Sequence, residues 1–450
     1  MEIVVIGGDA AGMSGASQIR RRQQEWPITV VERSPFTSYA ACGIPYFLAG
    51  DITAADDLVV VTPSAFRERR HIDVRSRWEA TAIDTDARRV VARRPDDGEE
   101  AIAYDRLLIA TGAMPVHPPW EGADLRGVYS LRGLTDGIAL SGRLHAGASR
   151  AVVVGGGYVG LEMAEAFARR GLAVTVVERE AALLGGGDPE LSRMAVDELA
   201  AHGVEVRLES AVTGLVGRDG DLTAVATEAG EIGCDLCLIA LGVRPNVALA
   251  SAAGIALGET GAIAVDETQR TQTPGVWAAG DCCEALHRIT GKPAYIPLAL
   301  AANRQGRVAG ATMTDGEARF PGVVGSQAFK CFDLAVARTG ITPEAAEAAG
   351  YAPRAVTVEA PSRAHYYPGH VPITTTLWYD GHTRRVLGAR LAGRDPSVAK
   401  RCDIFAVAIT AGMTVDEVAD LDLTYAPPFA PVWDPVLQAA NRAVREAGRG

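Results

Sequence analysis

Two segments of the chain share one alternation of apolar and polar positions. Each has a short apolar run, a glycine-rich turn, an alanine-rich stretch and a second apolar run that ends in an acid. The first segment runs from EIVVIGGDAAGMSGASQIRRR to ITVVER, and the second from RAVVVGGGYVGLEMAEAFARRG to AVTVVERE. This order is typical of a strand, a helix and a second, parallel strand. The pattern therefore predicts two βαβ units.

The glycine-rich turns indicate what the two units bind. A glycine-rich turn between a strand and a helix is the fingerprint of dinucleotide sites, because glycines allow the tight turn and the helix N-terminus holds the pyrophosphate. The acid that ends the second strand, Glu32 or Glu178, binds ribose hydroxyls in such sites. One turn of this kind can be merely structural, but two complete units favour two dinucleotide sites.

The two turns differ at the middle motif position. The second unit has glycine at all three positions, Gly155, Gly157 and Gly160. In the first unit Asp9 stands between Gly7 and Gly12, where the backbone normally approaches the pyrophosphate. Asp9 is therefore predicted to point away from the phosphates.

The rest of the chain adds further strands and domains. YDRLLIATGAMP (104–115) and TPGVWAAGDCCE (273–284) each predict a strand that ends in a glycine turn. From residue 323, strand-like stretches are followed by helices, which suits an α+β interface domain. A chain of 450 residues is too long for one ordinary core, so two or three domains are expected.

Charge and hydropathy narrow the function. The net charge of −11 argues against general nucleic-acid binding. Apolar runs stay shorter than the roughly 18–20 residues of a membrane-spanning helix, and the start of the chain lacks the pattern of a signal peptide. We therefore expect no membrane association and a cytoplasmic location, where cysteines are more often catalytic or incidental than bridged.

The cysteines differ in their surroundings. Cys234 and Cys237 lie in an apparently buried strand, and Cys331 and Cys402 on apolar faces, which indicates packing residues. Adjacent Cys282 and Cys283 would form a strained disulfide. No metal site is predicted, since a second cysteine–histidine cluster is missing from the sequence.

Cys42, in SYAACGIPYF, is the candidate redox residue. It follows Glu32 by about ten residues, and GIPYF can open a helix whose N-terminus would lower the thiol pKa. Cys42 has no neighbouring cysteine. A lone redox cysteine either forms a mixed disulfide with a small thiol or cycles through a sulfenic acid.

Together, the two turns, the Thr-Gly strand end and the Gly-Asp strand end resemble the pyridine nucleotide-disulfide oxidoreductase family over essentially the whole chain. The resemblance implies an α/β fold with two Rossmann-like dinucleotide-binding domains, for FAD and NAD(P)H, and a C-terminal α+β dimerisation domain of a homodimer. The implied segments are 1–113 and 245–322 for FAD, 114–244 for NAD(P)H and 323–450 for dimerisation.

The resemblance also implies the cofactor contacts. Those for FAD are Gly7, Ala10, Ala11, Gly12, Glu32, Arg33, Thr111, Gly112 and Asp281, and those for NAD(P)H are Gly155, Gly157, Tyr158, Gly160, Glu178, Arg179 and Gly242. Tyr158 would shield the flavin until the nicotinamide displaces it. Glu178 would repel a 2′-phosphate, and Arg179 would partly offset that repulsion, so we expect NADH or the use of both cofactors.

Within the family, the single cysteine separates coenzyme A-disulfide reductases from NADH oxidases and peroxidases. The oxidase and peroxidase branch carries a histidine in the first turn, where this chain has Ala10 and Ala11. SYAACGIPY is similar to the Ser-Phe-x-x-Cys-x-x-Pro-Tyr run of coenzyme A-disulfide reductases. The positions that bind coenzyme A in that branch match Ser14, Gln18, Arg21, Ser38, Arg70 and Asn303. The resemblance therefore favours Cys42 bound to coenzyme A as a mixed disulfide.

Tyr367 and Tyr425 are implied to reach the Cys42 of the partner subunit, where a phenol can protonate a leaving thiolate. Two positions depart from the branch: Ala41 replaces an asparagine, and Trp433 replaces a lysine that meets coenzyme A. The electron acceptor is therefore not decided by the sequence: it is coenzyme A disulfide, another small disulfide, a persulfide or oxygen. A redox sensor or electron carrier without turnover is the non-enzymatic alternative.

Overall fold

The computed structural model describes residues 1–185 and 187–448. Up to residue 115 the elements are β1 (Ile3–Ile6), α1 (Ala10–Arg22), β2 (Ile28–Glu32), a 3₁₀ turn (Ala41–Gly43), α2 (Ile44–Ala49), a second 3₁₀ turn (Ala55–Leu58), α3 (Pro63–Arg70), β3 (Asp73–Ser76), β4 (Glu79–Asp84), β5 (Arg89–Arg93), β6 (Glu99–Ala103), β7 (Arg106–Ile109) and β8 (Ala113–Pro115). The elements up to residue 245 are β9 (Val128–Ser130), α4 (Leu134–His145), β10 (Arg150–Val154), α5 (Tyr158–Arg169), β11 (Ala173–Val177), α6 (Pro189–Ala201), β12 (Glu205–Arg207), β13 (Val212–Arg218), β14 (Asp221–Thr227), β15 (Gly230–Gly233), β16 (Leu236–Ile239) and β17 (Val243–Pro245).

The remaining elements return to the first sheet and then build the C-terminal part. Up to residue 312 they are α7 (Ala248–Ala252), β18 (Val276–Ala278), β19 (Ala285–Leu286), β20 (Pro293–Ala294) and α8 (Ala299–Thr312). Beyond it they are β21 (Gln327–Cys331), β22 (Leu334–Gly340), α9 (Pro343–Ala348), β23 (Pro353–Pro361), β24 (Pro372–Asp380), β25 (Val386–Gly393), α10 (Ser397–Ala411), α11 (Val415–Ala419) and α12 (Pro435–Ala447).

The first βαβ unit lies at the centre of a parallel sheet with strand order β18–β7–β1–β2–β3. Ile3 of β1 pairs with Ile28 of β2 on one side and Arg106 of β7 on the other. All four residues of β1 are buried, as expected for a parallel strand covered on both faces. This order brings the carboxyl ends of β1, β7 and β18 together at one edge, where open parallel sheets bind ligands.

Helix α1, which follows the first turn, packs closely against α8. A Cβ on Gly306 would lie only 2.1 Å from the carbonyl oxygen of Ala11, and one on Gly310 would lie 2.5 Å from the carbonyl oxygen of Gly15. Such backbone approach needs glycine at the contact. The two helices therefore carry their exposed polar residues side by side.

The second βαβ unit repeats the arrangement in a sheet with strand order β12–β11–β10–β16–β9. Val152 of β10 pairs with Thr175 of β11 and with Cys237 of β16. The antiparallel pair of β8 and β17 joins the two dinucleotide-binding units through Pro115 and Val243. Both units predicted from the apolar pattern are thus present.

The C-terminal part is an antiparallel sheet with order β21–β22–β25–β24–β23, covered by α10, α11 and α12. Leu377, Leu391, Phe405 and Val436 form part of its buried core. This agrees with the predicted strand-rich half followed by helices. The α/β fold class is confirmed, while the boundaries after residues 113, 244 and 322 stay a prediction. Across the described residues, every helix is too short or too polar to cross a bilayer.

A buried glutamate connects the second dinucleotide-binding unit to the C-terminal sheet. Glu165 of α5 accepts hydrogen bonds from Lys330 Nζ at 2.6 Å and from the backbone N–H of Phe332 at 2.7 Å. Leu161 of α5 and Cys331 belong to one apolar core with Ile44 of α2. The helix that follows Cys42 is therefore packed against both neighbouring domains.

Candidate active site

Both glycine-rich turns are shaped by contacts that exclude a side chain. Gly7 and Gly155 have φ angles of +105° and +109°, which favour glycine. A Cβ on Gly12 would lie 1.9 Å from the carbonyl oxygen of Gly7, and one on Gly160 would lie 2.0 Å from that of Gly155. The first and third motif glycines therefore fix the same strand–turn–helix geometry twice.

The acids at the strand ends support the turns directly. Glu32 Oε2 accepts a hydrogen bond from the backbone N–H of Gly8 at 2.6 Å, and Glu178 Oε2 accepts one from Gly156 at 2.8 Å. Each acid thus lies beside its turn, where a ribose would pass. The same carboxylate can hold the turn and meet the sugar hydroxyls.

The arginines that follow the two acids are exposed and face other carboxylates. Arg33 lies 3.8 Å from Glu79, and Arg179 lies 2.8 Å from Glu180. Glu180 opposes part of the charge of Arg179, which makes this arginine a less favourable partner for a 2′-phosphate.

The middle motif position differs between the turns in space as well as in sequence. A Cβ on Gly157 would meet no described atom within 4 Å. The equivalent space in the first unit holds Asp9, whose Oδ1 accepts a hydrogen bond from the backbone N–H of Tyr39 at 3.3 Å. Burial, with a smaller contribution from Glu32, raises the pKa of Asp9 to about 7. Asp9 is therefore directed at the loop that carries Cys42.

The other predicted strand ends converge on the same edge. Thr111 Oγ1 donates to the carbonyl oxygen of Asn246 at 2.6 Å, which ties the Thr111–Gly112 turn to the chain beyond β17. Burial raises the pKa of Asp281, and Arg132 opposes that rise. Arg132, which also donates to the Thr111 carbonyl oxygen at 3.0 Å, was missed in the sequence because its segment carries no motif. Gly242 has φ +87° and open space at its Cβ position.

Cys42 lies at the start of a helix, as the sequence predicts. It occupies the 3₁₀ turn Ala41–Gly43, directly before α2. The backbone N–H of Ser38 donates to the carbonyl oxygen of Gly8 at 3.1 Å, which binds the loop to the first glycine-rich turn. All seven cysteines lie in the described residues and are free; Cys42 is exposed, and the other six are buried.

The predicted lowering of the Cys42 pKa is wrong. Although the residue is exposed, the protein around the sulfur partly desolvates it, and this burial raises the thiol pKa. Glu162, Asp281 and Asp9 raise it further, and a backbone hydrogen bond lowers it only in part. Burial, together with nearby carboxyl groups, thus outweighs the short helix, because both desolvation and a negative neighbour disfavour a thiolate.

Glu162 is the second residue that the sequence did not reveal. It lies on α5 one turn after Tyr158, half-buried, and it is the foremost charged neighbour of both Cys42 and Tyr46. Burial and the neighbouring Glu165 raise the pKa of Glu162 to about 7. The sequence gives no signal for it, because its proximity to Cys42 depends on the packing of α5 against α2.

A cavity of about 690 Å³ opens beside Tyr158. Its walls include Phe329, whose ring centroid lies 6.4 Å from that of Tyr158, together with Arg338 and Tyr295. The Tyr295 hydroxyl is buried and has no hydrogen-bond partner among the described residues. Burial raises the pKa of Tyr295, so this hydroxyl stays protonated. An unpartnered buried donor indicates a ligand site.

The residues predicted to bind the substrate phosphates fall on α1 and α8. Ser14 Oγ donates to Asn303 Oδ1 at 2.8 Å, and Arg21 Nη1 donates to Gln18 Oε1 at 3.1 Å. Ser14, Gln18 and Arg21 follow one another on one side of α1 at helical spacing. The structure therefore brings these four side chains together along one pair of helices.

Arg70 and Ser38 complete this predicted set from the other side of α1. Arg70 Nη1 donates to Ser17 Oγ at 3.2 Å, and the guanidinium lies over the Phe66 ring, 4.9 Å from its centroid. Ser38 has φ +45° and belongs to the loop that carries Cys42. A route along α1 toward the thiol is thus lined by polar groups.

Tyr367 and Tyr425 lie in the C-terminal domain, both exposed. Among the described residues, neither tyrosine forms a hydrogen bond with Cys42 of the same chain. Tyr425 instead is a neighbour of Tyr366 and raises the pKa of that phenol. Phe429 and Trp433 beside them are 78% and 59% exposed, which leaves an apolar surface on one protomer.

The residues present fit FAD and NAD(P)H. Neither α1 nor α5 has a side-chain cap among the described residues, so N–H groups at both N-termini are available to a pyrophosphate. Open space at Gly157 and the unpartnered hydroxyl of Tyr295 suit a cofactor on the side of Tyr158.

Comparison with known proteins gives the same assignment. The chain matches pyridine nucleotide-disulphide oxidoreductase over residues 1–306 and the dimerisation domain of these proteins over residues 326–435. It is 39% identical to the NAD(P)H sulfur oxidoreductase (CoA-dependent) of Pyrococcus abyssi over 441 residues, 98% of this chain and 97% of the relative. An NADH oxidase of Methanocaldococcus jannaschii is 35% identical over 450 residues, 99% of each chain. A solved NAD-dependent persulfide reductase from A. fulgidus superposes with a TM-score of 0.96 at 39% identity, over 100% of this chain and 84% of that chain.

These matches cover both dinucleotide-binding units and the C-terminal sheet, in agreement with the observed architecture. Family members bind FAD and NAD(P)H, and the turns, strand ends and cavity of this chain are built for both. The chain is an FAD- and NAD(P)H-dependent oxidoreductase that belongs to the pyridine nucleotide-disulphide oxidoreductase family.

Proposed function

We propose that this protein uses NAD(P)H to reduce coenzyme A disulfide, or a persulfide of coenzyme A, through the single redox residue Cys42. The observation that carries the proposal is that Cys42 is exposed on a loop bonded to the first glycine-rich turn, whereas the other six cysteines are buried. The second sulfur is therefore supplied by the substrate. The names of the Pyrococcus abyssi and A. fulgidus proteins support this substrate class.

The cofactors divide between the two turns. FAD, when bound, carries two electrons from NAD(P)H to the sulfur centre. We assign the first turn, Glu32 and Asp281 to FAD, and the second turn with Glu178 to NAD(P)H. Tyr158, 44% exposed at the cavity, is placed to exclude water until the nicotinamide displaces it.

The step at Cys42 is a thiol–disulfide exchange. The Cys42 thiolate attacks one sulfur of coenzyme A disulfide; the Cys42–coenzyme A bond forms, the substrate S–S bond breaks, and one coenzyme A thiolate leaves. Two electrons and one proton then break the mixed disulfide, which releases the second coenzyme A thiol and restores the Cys42 thiolate. With a persulfide, hydrosulfide is the leaving group of the exchange.

A homodimer completes this site in our proposal. Tyr367 and Tyr425 of one protomer would protonate the thiolate that leaves at the Cys42 of its partner. Both phenols are exposed in the single chain, next to the apolar surface at Phe429. An exposed apolar surface in a dimerisation domain suits burial against a second copy.

Intact-protein mass spectrometry, before and after reduction, tests the proposal. We expect the resting protein to lose one coenzyme A per chain on reduction and Cys42→Ser to carry none. Cys42→Ser should keep FAD and its reduction by NADH, and lose disulfide reduction by at least about 10³-fold, because only this sulfur reaches substrate. Cys42→Ala is the matched variant without a hydroxyl and should behave alike.

Three results would contradict the proposal. Disulfide reduction retained in Cys42→Ser would remove Cys42 from the reaction. A mass change of oxygen atoms in place of coenzyme A, with oxygen consumption, would favour the NADH oxidase alternative. Slow flavin reduction without consumption of disulfide or oxygen would favour a redox sensor.

A further inference from the structure

A second cavity, of about 250 Å³, lies beside α1 and α8. Arg304 and Arg307 of α8 line it together with Arg319, and Gln18 of α1 forms another wall. Its apolar lining includes Val308, Pro321 and, to a small extent, Phe320, which is only 4% exposed. A basic rim around an apolar floor suits a ligand that combines anionic groups with a flat ring.

The charge of this cavity is largely uncompensated. Arg319 is paired with Glu267, whereas Arg304 and Arg307 form no ion pair with any residue in the described ranges. Arg304 lies over the Phe320 ring, 5.7 Å from its centroid. Arg304 and Arg307, three residues apart, point to one side of the helix. In a chain of net charge −11, such a local excess of guanidinium groups indicates a phosphate-bearing partner.

The cavity is continuous with the row of residues proposed to bind the substrate. Gln18 lines it and accepts a hydrogen bond from Arg21, while one turn earlier Ser14 bonds to Asn303 of the same helix pair. Helix α1 spans 13 residues, or about 20 Å. Its N-cap residue, Asp9, contacts the loop that carries Cys42, and its C-terminal half reaches the cavity. An extended ligand with a sulfur at one end can follow this path.

We propose that Arg304 and Arg307 bind the phosphorylated adenosine end of the coenzyme A ligand, with the adenine against the apolar floor. The proposal rests on the function proposed above and names its anchoring site.

The test uses the FAD-loaded protein, first freed of bound coenzyme A by reduction, and Arg304→Ala/Arg307→Ala treated in the same way, with Arg218→Ala, an exposed arginine of β13, as the matched control. Calorimetric titration with adenosine 3′,5′-bisphosphate should show at least tenfold weaker binding in the double variant. The KM for coenzyme A disulfide should rise at least tenfold at unchanged kcat, and the KM for pantethine, a disulfide without the phosphoadenosine, should stay the same. Arg304→Lys/Arg307→Lys should recover part of the affinity.

Unchanged binding of adenosine 3′,5′-bisphosphate in the double variant would overturn the inference, and so would an equal rise of KM for both disulfides. Inorganic phosphate that binds as tightly as the nucleotide would also overturn it, since the adenosine would then contribute nothing. A wild-type protein that reduces neither disulfide, yet binds the nucleotide through these arginines, would contradict the proposed function and support the arginine site.

Discussion

The two dinucleotide-binding turns share one backbone but differ in what their middle position does. Gly12 and Gly160 are closed positions, because a Cβ on either would lie only about 2 Å from a carbonyl oxygen. Gly157 leaves open space, and Asp9 fills the corresponding space in the first unit with a carboxyl group bonded to the Cys42 loop. Steric contacts thus require glycine at the first and third motif positions. The middle position is not constrained in this way, and its residue differs between the two units.

This difference explains how one unit became part of the sulfur centre. The first turn is bonded to the 38–47 loop twice, from Ser38 to Gly8 and from Tyr39 to Asp9. The second turn contributes through its helix instead, since Glu162 of α5 lies near Cys42. A docking site for a cofactor needs an open turn, whereas a redox site needs a turn held against the reactive loop.

The largest effects should come from filling the closed positions. Gly12→Ala and Gly160→Ala would each drive a methyl group into a backbone carbonyl, at a cost of about 3 kcal/mol or more. Gly12→Ala should purify without FAD absorbance. Gly160→Ala should retain FAD and lose anaerobic reduction by NADH.

Gly157→Ala is the matched control for these variants. Its Cβ meets no described atom within 4 Å, so the thermal midpoint should be unchanged while the KM for NADH rises. Normal FAD content in Gly12→Ala would show that the two turns are not equivalent in packing.

The next prediction concerns Asp9 and the change of protein stability with pH. The folded pKa of about 7 lies above the ordinary 3.8, so the native FAD-free protein binds an extra proton between these values and loses stability as the pH rises through this range. Asp9→Asn keeps the acceptor for Tyr39 and removes the charge. It should be more stable than the wild type by about 2 kcal/mol at pH 8 and equally stable at pH 3.5. The difference at pH 8 is smaller than the whole pKa shift would give, because Asp9 is partly exposed.

Thermal melts of both FAD-free proteins across this pH range measure the difference. Asp9→Ala, which lacks the acceptor, is the control for the lost hydrogen bond. A constant gap between Asp9→Asn and the wild type at all pH values would show that folding does not change the pKa of Asp9.

The fold followed from the sequence because its signals are local. The strand–turn–helix pattern and the glycines of both units depend on neighbours within a few residues, as the contacts of Gly12 with Gly7 show. The charges around Cys42, by contrast, come from residues that are distant in the sequence. Glu162 is 120 positions away in the chain, and only the packing of α2 on α5 makes it the main charged neighbour of the thiol. The pKa of Cys42 was therefore predicted in the wrong direction.

A smaller effect is expected on cofactor choice. Glu178 lies at the second turn, and Arg179 is occupied by Glu180, so we expect NADH to be preferred or both cofactors to be used. Glu178→Gln removes the repulsion of a 2′-phosphate and should move the ratio of kcat/KM values toward NADPH by about tenfold, or about 1.4 kcal/mol. Glu231→Gln, an exposed acid of β15, is the control. A tenfold preference of the wild type for NADPH would contradict the assignment.

The smallest effect is expected at Glu162. A variant at this position tests whether the second unit raises the pKa of the Cys42 thiol of the first unit. Glu162→Gln removes the negative charge that most raises the Cys42 pKa, so the thiolate fraction at a given pH should increase. Because Glu162 itself titrates near 7, the gain should appear above that pH and vanish below it. The rate of iodoacetamide alkylation of the FAD-free protein measures it, since the other six cysteines are buried. We expect a shift of the rate profile by less than about one pH unit, absent in Glu231→Gln. An unshifted profile in Glu162→Gln would mean that Glu162 does not contribute to the thiol pKa.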